Sequence, residues 1–203
     1  MSSLRRMTQV AVLSTVGLCL MLIVEVPFFP SAPYLKYDAG DLPVLVGAFA
    51  LGPASGAAIA LMKNLLFALL RGTPETWLIG APMNLLAGAS FALVAGRLYA
   101  IRKTRTQAMV ALALGGLAST VVMLGANLLV LPVFLRVFIG APGDVPTRLL
   151  VTVILPFNLL KSALNGVLVF VVYKRISPVL KAARWELPAH APRPGAATSA
   201  VRS

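Results

Sequence analysis

Long apolar blocks are the feature that most limits the folds open to this chain. A helix needs about 17–25 mostly apolar residues to cross the hydrocarbon core of a bilayer, which is about 30 Å thick. Of the 203 residues, 59% are hydrophobic and only 12% are charged, and the hydrophobic residues cluster instead of alternating with polar ones. This pattern predicts an all-α integral membrane protein.

Six transmembrane helices are predicted, and their ranges are 8–27, 41–52, 54–71, 77–99, 107–131 and 149–174. The second and third are short and joined at Gly52–Pro53, because proline removes a backbone donor and glycine loosens the chain. The N-terminus also resembles a signal peptide, but its apolar stretch at 10–26 exceeds the usual core of about 7–15 residues, so the first helix is retained.

The distribution of basic residues predicts that both termini are cytoplasmic. With that orientation ten Lys and Arg residues flank the inner ends of the helices, and the outer loops hold only Lys36, Arg71, Arg136 and Arg148. Such an asymmetry follows the positive-inside rule. Residues 1–183 are predicted to form the membrane domain, and residues 184–203, rich in Ala, Pro and Ser, a disordered cytoplasmic tail.

The chain lacks the motifs of an ATPase or a hydrolase. It contains no G-x-x-x-x-G-K-[ST], H-E-x-x-H or G-x-S-x-G, so it is not expected to be an enzyme. The net charge of +12 comes without a basic stripe with interleaved aromatics, which disfavours nucleic acid as a partner. Cys19 and His190, the single residues of their types, suggest no metal centre, and no cofactor is expected.

A few strongly polar side chains interrupt the apolar helices. They are Lys63, Asn64, Asn84, Asn127, Asn158, Lys161 and Asn165. Most of them fall in the outer half of their helices, as they would around a pocket that opens outward. Such pockets combine apolar walls with a few polar groups that orient the ligand.

Lys161 needs compensation because it lies about 18 Å along the last helix, too deep to reach water easily. Asn158 and Asn165 share its helix face. One interpretation is a structural network that joins helices. The other is a ligand contact, favoured because Glu25 is the only acidic residue inside a predicted span apart from Asp41, the first residue of the second span. On that view Lys161→Met leaves the ligand-free protein no less stable.

The outer stretch at residues 34–49 has the polar composition of a cover over such a pocket. It contains Tyr37, Asp38 and Asp41 just before the second helix. Asp38 or, more favoured, Asp41 is alternatively an N-cap for that helix, with Pro43 in the first turn.

Three segments resemble the riboflavin-type substrate-binding component of energy-coupling-factor vitamin transporters. They are "YLKYDAGDLPVLVGAFALGPASGAAIALMKNLLFALLRG" from residue 34, "NLLAG" from residue 84 and "ILPFNLLKSALNGVLVFVVYKRISPVLK" from residue 154. The resemblance implies a six-helix binding subunit that captures a vitamin from outside. It also implies docking on a transmembrane coupling protein with two ATPase subunits, in the plasma membrane of a prokaryote.

The resemblance also implies particular site residues. Flavin contacts of the family map onto Asn127, Asn158 and Lys161, and the segment around Tyr37 and Asp38 resembles the loop that covers the site. Lys63 and Asn84 are further candidates for substrate binding. The small residues Ala11 and Thr15, four apart on the first helix, are the nearest equivalent of the family's docking face on the coupling protein.

Other functions remain open at this stage. The same fold could bind another neutral or anionic vitamin, since Lys161 would attract an acidic ligand such as biotin and repel cationic thiamin. A membrane enzyme acting on lipid head groups is less favoured, because no paired carboxylates or histidines lie in the predicted spans. A scaffold protein would not need a polar pocket.

Overall fold

Helices form nearly all of the structure, a computed structural model that describes residues 3–28, 35–140 and 147–185. In chain order the helices are α1 (Ser3–Ile23), α2 (Asp41–Leu51), α3 (Pro53–Arg71), α4 (Ala81–Ile101), α5 (Arg105–Phe134), the short α6 (Thr147–Leu149) and α7 (Leu155–Trp185). Single π-helical turns precede α4 (Thr76–Gly80), follow α5 (Leu135–Ile139) and precede α7 (Leu150–Ile154). Two short strands, β1 (Glu25–Pro27) and β2 (Lys36–Asp38), lie between α1 and α2.

Five helical segments of the described chain are long and apolar enough to cross a membrane. They are Ser3–Ile23, Pro53–Arg71, Thr76–Ile101, Arg105–Phe138 and Leu150–Tyr173. The helix α2 is also apolar but has only 11 residues. The prediction of a mainly helical membrane protein is therefore confirmed in its general form.

The prediction that the first helix runs from 8 to 27 is wrong at both ends, since α1 begins at Ser3. The helix stops at Ile23, and Glu25–Pro27 pairs antiparallel with Lys36–Asp38, with Val26 opposite Tyr37. The fold is therefore not purely α-helical. A strand of three residues is too short to show an alternation of apolar and polar side chains. The β-ribbon, the pair formed by β1 and β2, was therefore not predicted.

The junction between α2 and α3 depends on Gly52. This residue has φ 101°, a left-handed backbone conformation that favours glycine, and its carbonyl accepts the N–H groups of Ser55 and Gly56. Pro53 begins α3, where its missing N–H leaves no helical hydrogen bond unmade.

Small residues allow the helices to approach closely. The helix α4 packs against α2, α3 and α5, and α1 packs against α2 and α3. A Cβ atom added to Gly115 of α5 would lie 2.8 Å from the Cβ atom of Ala95 of α4. Such contacts are typical of membrane helices, whose association relies on close van der Waals packing.

The chain divides by its internal contacts into a unit at Met1–Phe170 and a second at Val171–Ser203. The described part of the second unit is the helical backbone as far as Trp185. The predicted boundary at residue 183 stays a prediction, and the predicted disorder of the tail concerns mainly residues 186–203, outside the described residues.

Candidate ligand-binding site

A buried pair of charges joins α3 to the start of α2. The Lys63 side chain is fully buried, and its Nζ atom lies 2.8 Å from Oδ1 of Asp41 and 3.5 Å from Oδ1 of Asp38. Gly40 leaves room for this contact, since a Cβ atom added there would lie 3.0 Å from the Lys63 Nζ atom. Asp41 is thus not an N-cap: it is the first residue of α2, and Gly40 is the capping residue.

Lys161 of α7 completes the cluster. Its Nζ atom donates to Oδ2 of Asp38 at 3.0 Å and to Oδ1 of Asn84 at 3.1 Å. It also lies 3.4 Å from Oδ2 of Asp41. Two lysines and two aspartates therefore balance one another, and we call Asp38, Asp41, Lys63 and Lys161 the charge cluster.

The expectation that Lys161 has no buried acidic partner is wrong. Asp38 and Asp41 are 5% and 3% exposed, and both lie within ion-pair distance of the ammonium group. A buried charge is tolerated when it is paired and hydrogen-bonded. The cluster satisfies that condition with residues from β2, α2, α3 and α7.

Asp38 is the most fully bonded member of the cluster. Its Oδ1 accepts from the Gly40 N–H and Lys63, and its Oδ2 accepts from Asn84 and Lys161. Burial alone would favour the neutral acid, but Lys161 and Lys63 hold the pKa of the Asp38 carboxyl well below its usual value. Asp38 therefore stays ionised.

Next to the cluster is a cavity of about 420 Å³. Five of the seven predicted substrate-binding residues line it, namely Asp38, Asn84, Asn127, Asn158 and Lys161. Apolar side chains form much of the remaining wall, including Phe67, Ile79, Met83, Leu131, Phe134 and Phe157. The volume and the mixture of apolar walls with a few polar groups suit a small organic ligand.

The two asparagines on the cavity wall are oriented by their own helices. Asn127 donates its amide to the Met123 carbonyl, and Asn158 donates to the Ile154 carbonyl, each at 2.8 Å. Each side chain keeps a second N–H and a carbonyl oxygen. The wall therefore offers both donors and acceptors beside the ammonium group of Lys161.

The two other predicted residues lie behind the cavity wall. Lys63 is enclosed in the charge cluster. The Tyr37 hydroxyl donates to Oδ1 of Asn165 at 3.0 Å, and its ring stacks on Phe28 at 5.4 Å. Burial and the nearby Asp38 raise the pKa of the Tyr37 phenol, so it remains a donor. Tyr37 thereby fixes β2 against α7.

A second ionic group at the cavity rim was not predicted. Glu25 of β1 accepts from Arg71 at 2.9 Å and lies 3.2 Å from the Lys36 ammonium group. The Arg71 guanidinium also lies over the Phe67 ring, 5.4 Å from its centre. These contacts connect the β-ribbon to the end of α3. The helical periodicity of the sequence gave no sign of these contacts, because they depend on how β1 and β2 fold back against α3.

The predicted docking residues lie on the outer surface of α1. Ala11 and Thr15 are exposed, and the Thr15 hydroxyl donates to the Ala11 carbonyl at 3.1 Å. Their neighbours Ser14 and Gly17 are buried toward the rest of the helices. Ala11 and Thr15 are thus available to a membrane partner or to lipid.

The family model of the ECF transporter substrate-specific component matches residues 5–173. The chain belongs to this family. As a substrate-specific component it is a transporter subunit and not an enzyme, in agreement with the prediction from sequence.

Curated relatives of this substrate-specific component share about a third of its residues. The riboflavin transporter RibU of Lactococcus lactis subsp. cremoris (strain NZ9000) is 30% identical, over 89% of this chain and 95% of the relative. RibU of Staphylococcus aureus (strain TCH60) is 32% identical, over 87% of this chain and 93% of the relative. The riboflavin transporter FmnP of Bacillus subtilis (strain 168) is 29% identical, over 89% of this chain and 96% of the relative.

A solved structure supports the same family. It comes from work on the structure and mechanism of the S component of a bacterial ECF transporter. Its TM-score to this substrate-specific component is 0.73 at 28% identity, covering 89% of this chain and 99% of that one.

Proposed function

We propose that this protein is the riboflavin-binding subunit of an ATP-driven vitamin importer. The observation that carries the proposal is the cavity, where Asn127, Asn158 and Lys161 lie beside an apolar wall. One edge of the isoalloxazine ring of riboflavin has an imide N–H between two carbonyl oxygens. Asparagine amides and an ammonium group supply the complementary acceptors and donors.

The apolar wall suits the rest of the ring system. Phe134, Phe157 and Leu131 are largely buried and line the cavity. Aromatic side chains stack on flat ligands at low entropic cost, and their burial contributes the hydrophobic part of the binding energy. A flat tricyclic ring with one polar edge can therefore contact the apolar wall with its faces and the polar side chains with that edge.

The proposed topology has six spans with both termini in the cytoplasm. The basic residues of the sequence support it through the positive-inside rule. In this arrangement α2 is a short segment of 11 residues, joined to the longer α3 at Gly52–Pro53. The cavity then opens to the outside of a prokaryotic plasma membrane, because its rim is formed by the C-terminal end of α3 and the β-ribbon.

Energy must come from other subunits, because the sequence has no nucleotide-binding motif. We propose docking on a transmembrane coupling protein that carries two ATPase subunits. The exposed face of α1 at Ala11 and Thr15 is the proposed contact. Small residues there permit close helix approach.

The charge cluster favours riboflavin over an anionic vitamin. The Lys161 ammonium group is already balanced by Asp38, so it offers no net positive charge to a carboxylate ligand. A different neutral vitamin on the same fold is the remaining alternative within transport.

Purification followed by spectroscopy and calorimetry tests the proposal. The protein alone should bind riboflavin tightly without ATP, and a co-purifying flavin should appear as a yellow chromophore. Biotin and thiamin are the matched ligand controls and should give no heat. Heat with another vitamin and none with riboflavin would refute the substrate assignment.

A further inference from the structure

We infer that Lys63 is a positioning residue for the ligand, although it does not line the cavity. By engaging Asp41, Lys63 leaves the Lys161 ammonium group available at the cavity wall and keeps the charge cluster free of net charge. The site thereby selects a neutral polar ligand edge. The inference rests on the proposed function and adds a residue and a charge preference to it.

The distances show that each of the two lysines lies closest to a different aspartate. The Lys63 Nζ atom is closer to Asp41, at 2.8 Å, than to Asp38, at 3.5 Å. The Lys161 Nζ atom is closer to Asp38, at 3.0 Å, than to Asp41, at 3.4 Å. Asp41 is therefore mainly the partner of Lys63, and Lys161 keeps only a longer contact with it.

The donors of Lys161 are limited in number. An ammonium group has three N–H donors, and here one bonds to Asp38 and one to Asn84. The third is left for the cavity as long as Asp41 is engaged by Lys63. If Lys63 were neutral, Asp41 would attract the third N–H away from the ligand.

Removing Lys63 would also change the net charge of the site, and this change too would weaken ligand binding. With Lys63 present, the two ammonium groups balance the two carboxylates. Without it, one negative charge would remain beside the ligand's carbonyl-bearing edge and would repel it, because interactions between charges are strong in a buried site.

The titratable groups in and around the charge cluster come from several secondary-structure elements. They are Tyr37 and Asp38 from β2, Asp41 from α2, Lys63 from α3 and Lys161 from α7. Asn84 from α4 also contacts the cluster but does not titrate. The surplus charge of a variant without Lys63 would therefore fall on Asp38 and Asp41, the two carboxylates of the charge cluster.

The test compares riboflavin affinity of the wild type, Lys63→Met and the double variant Lys63→Met with Asp41→Asn. Lys63→Met should weaken binding by about tenfold or more, because one uncompensated negative charge remains beside the cavity. The double variant should bind within about threefold of wild type, because its remaining ion pair of Asp38 and Lys161 has no net charge.

Several results would overturn the inference. One is a Lys63→Met variant that binds riboflavin as the wild type does. Another is weak binding by both the single and the double variant, which a purely structural role of Lys63 predicts. If Lys63→Met does not fold, a folded double variant that fails to bind is equally decisive against it. A wild-type protein that binds no riboflavin overturns the proposed function as well, which separates the two failures.

Discussion

At the scale of single residues, Lys161 is both part of the cavity wall and the counter-charge of Asp38. We expect Lys161→Met to abolish riboflavin binding and also to destabilise the ligand-free protein by about 3–5 kcal/mol, because a buried carboxylate loses its partner. Thermal unfolding without ligand measures the second effect. The control is Lys36→Met at the exposed rim, which should change stability by about 1 kcal/mol or less. An unchanged melting temperature for Lys161→Met would contradict the pairing seen in the structure.

At the scale of elements, α1 has one face toward the other helices and one face outward. We expect Ala11→Leu to reduce vitamin uptake several-fold while riboflavin affinity stays unchanged, because the larger side chain hinders close helix docking. The matched control is Ala113→Leu, the same change at an exposed position of α5. Uptake in a vitamin-requiring cell and calorimetry of the purified variant measure the two effects. Equal uptake by the two variants would remove α1 as the docking face.

At the scale of the whole molecule, the described residues enclose a candidate ligand cavity, while the sequence contains no nucleotide-binding motif. We expect liposomes containing this subunit alone to bind riboflavin without accumulating it, and accumulation to require a coupling protein, its ATPases and ATP. Radiolabelled uptake with and without the added module measures this directly. An ATPase variant that cannot hydrolyse ATP is the control for the module. ATP-dependent accumulation by the subunit alone would disprove the division of labour.

Much of the candidate site could be predicted from the sequence, because it depends on helical periodicity. Asn127, Asn158 and Lys161 were predicted as polar positions in the outer half of apolar helices, and they line one cavity. The acidic partners were missed because Asp38 precedes the second predicted span and Asp41 is only its first residue. A charge count offered a signal: the chain has only six acidic residues, and Asp38 and Asp41 lie together at the start of an apolar helix.

The sequence by itself determined the class of protein and the main helices, since apolar length and spacing are local properties that any bilayer imposes. Only the tertiary structure decided which charges meet. Lys161 and Asp38 are 123 positions apart, and their contact requires the β-ribbon to turn inward over the helices. The pairing with Asp38 therefore reverses the expectation from sequence that Lys161→Met leaves the ligand-free protein no less stable. The attraction between two charges is stronger when both are buried. Burial depends on how distant segments pack together, so no local pattern in the sequence indicates that Lys161 and Asp38 are buried as a pair.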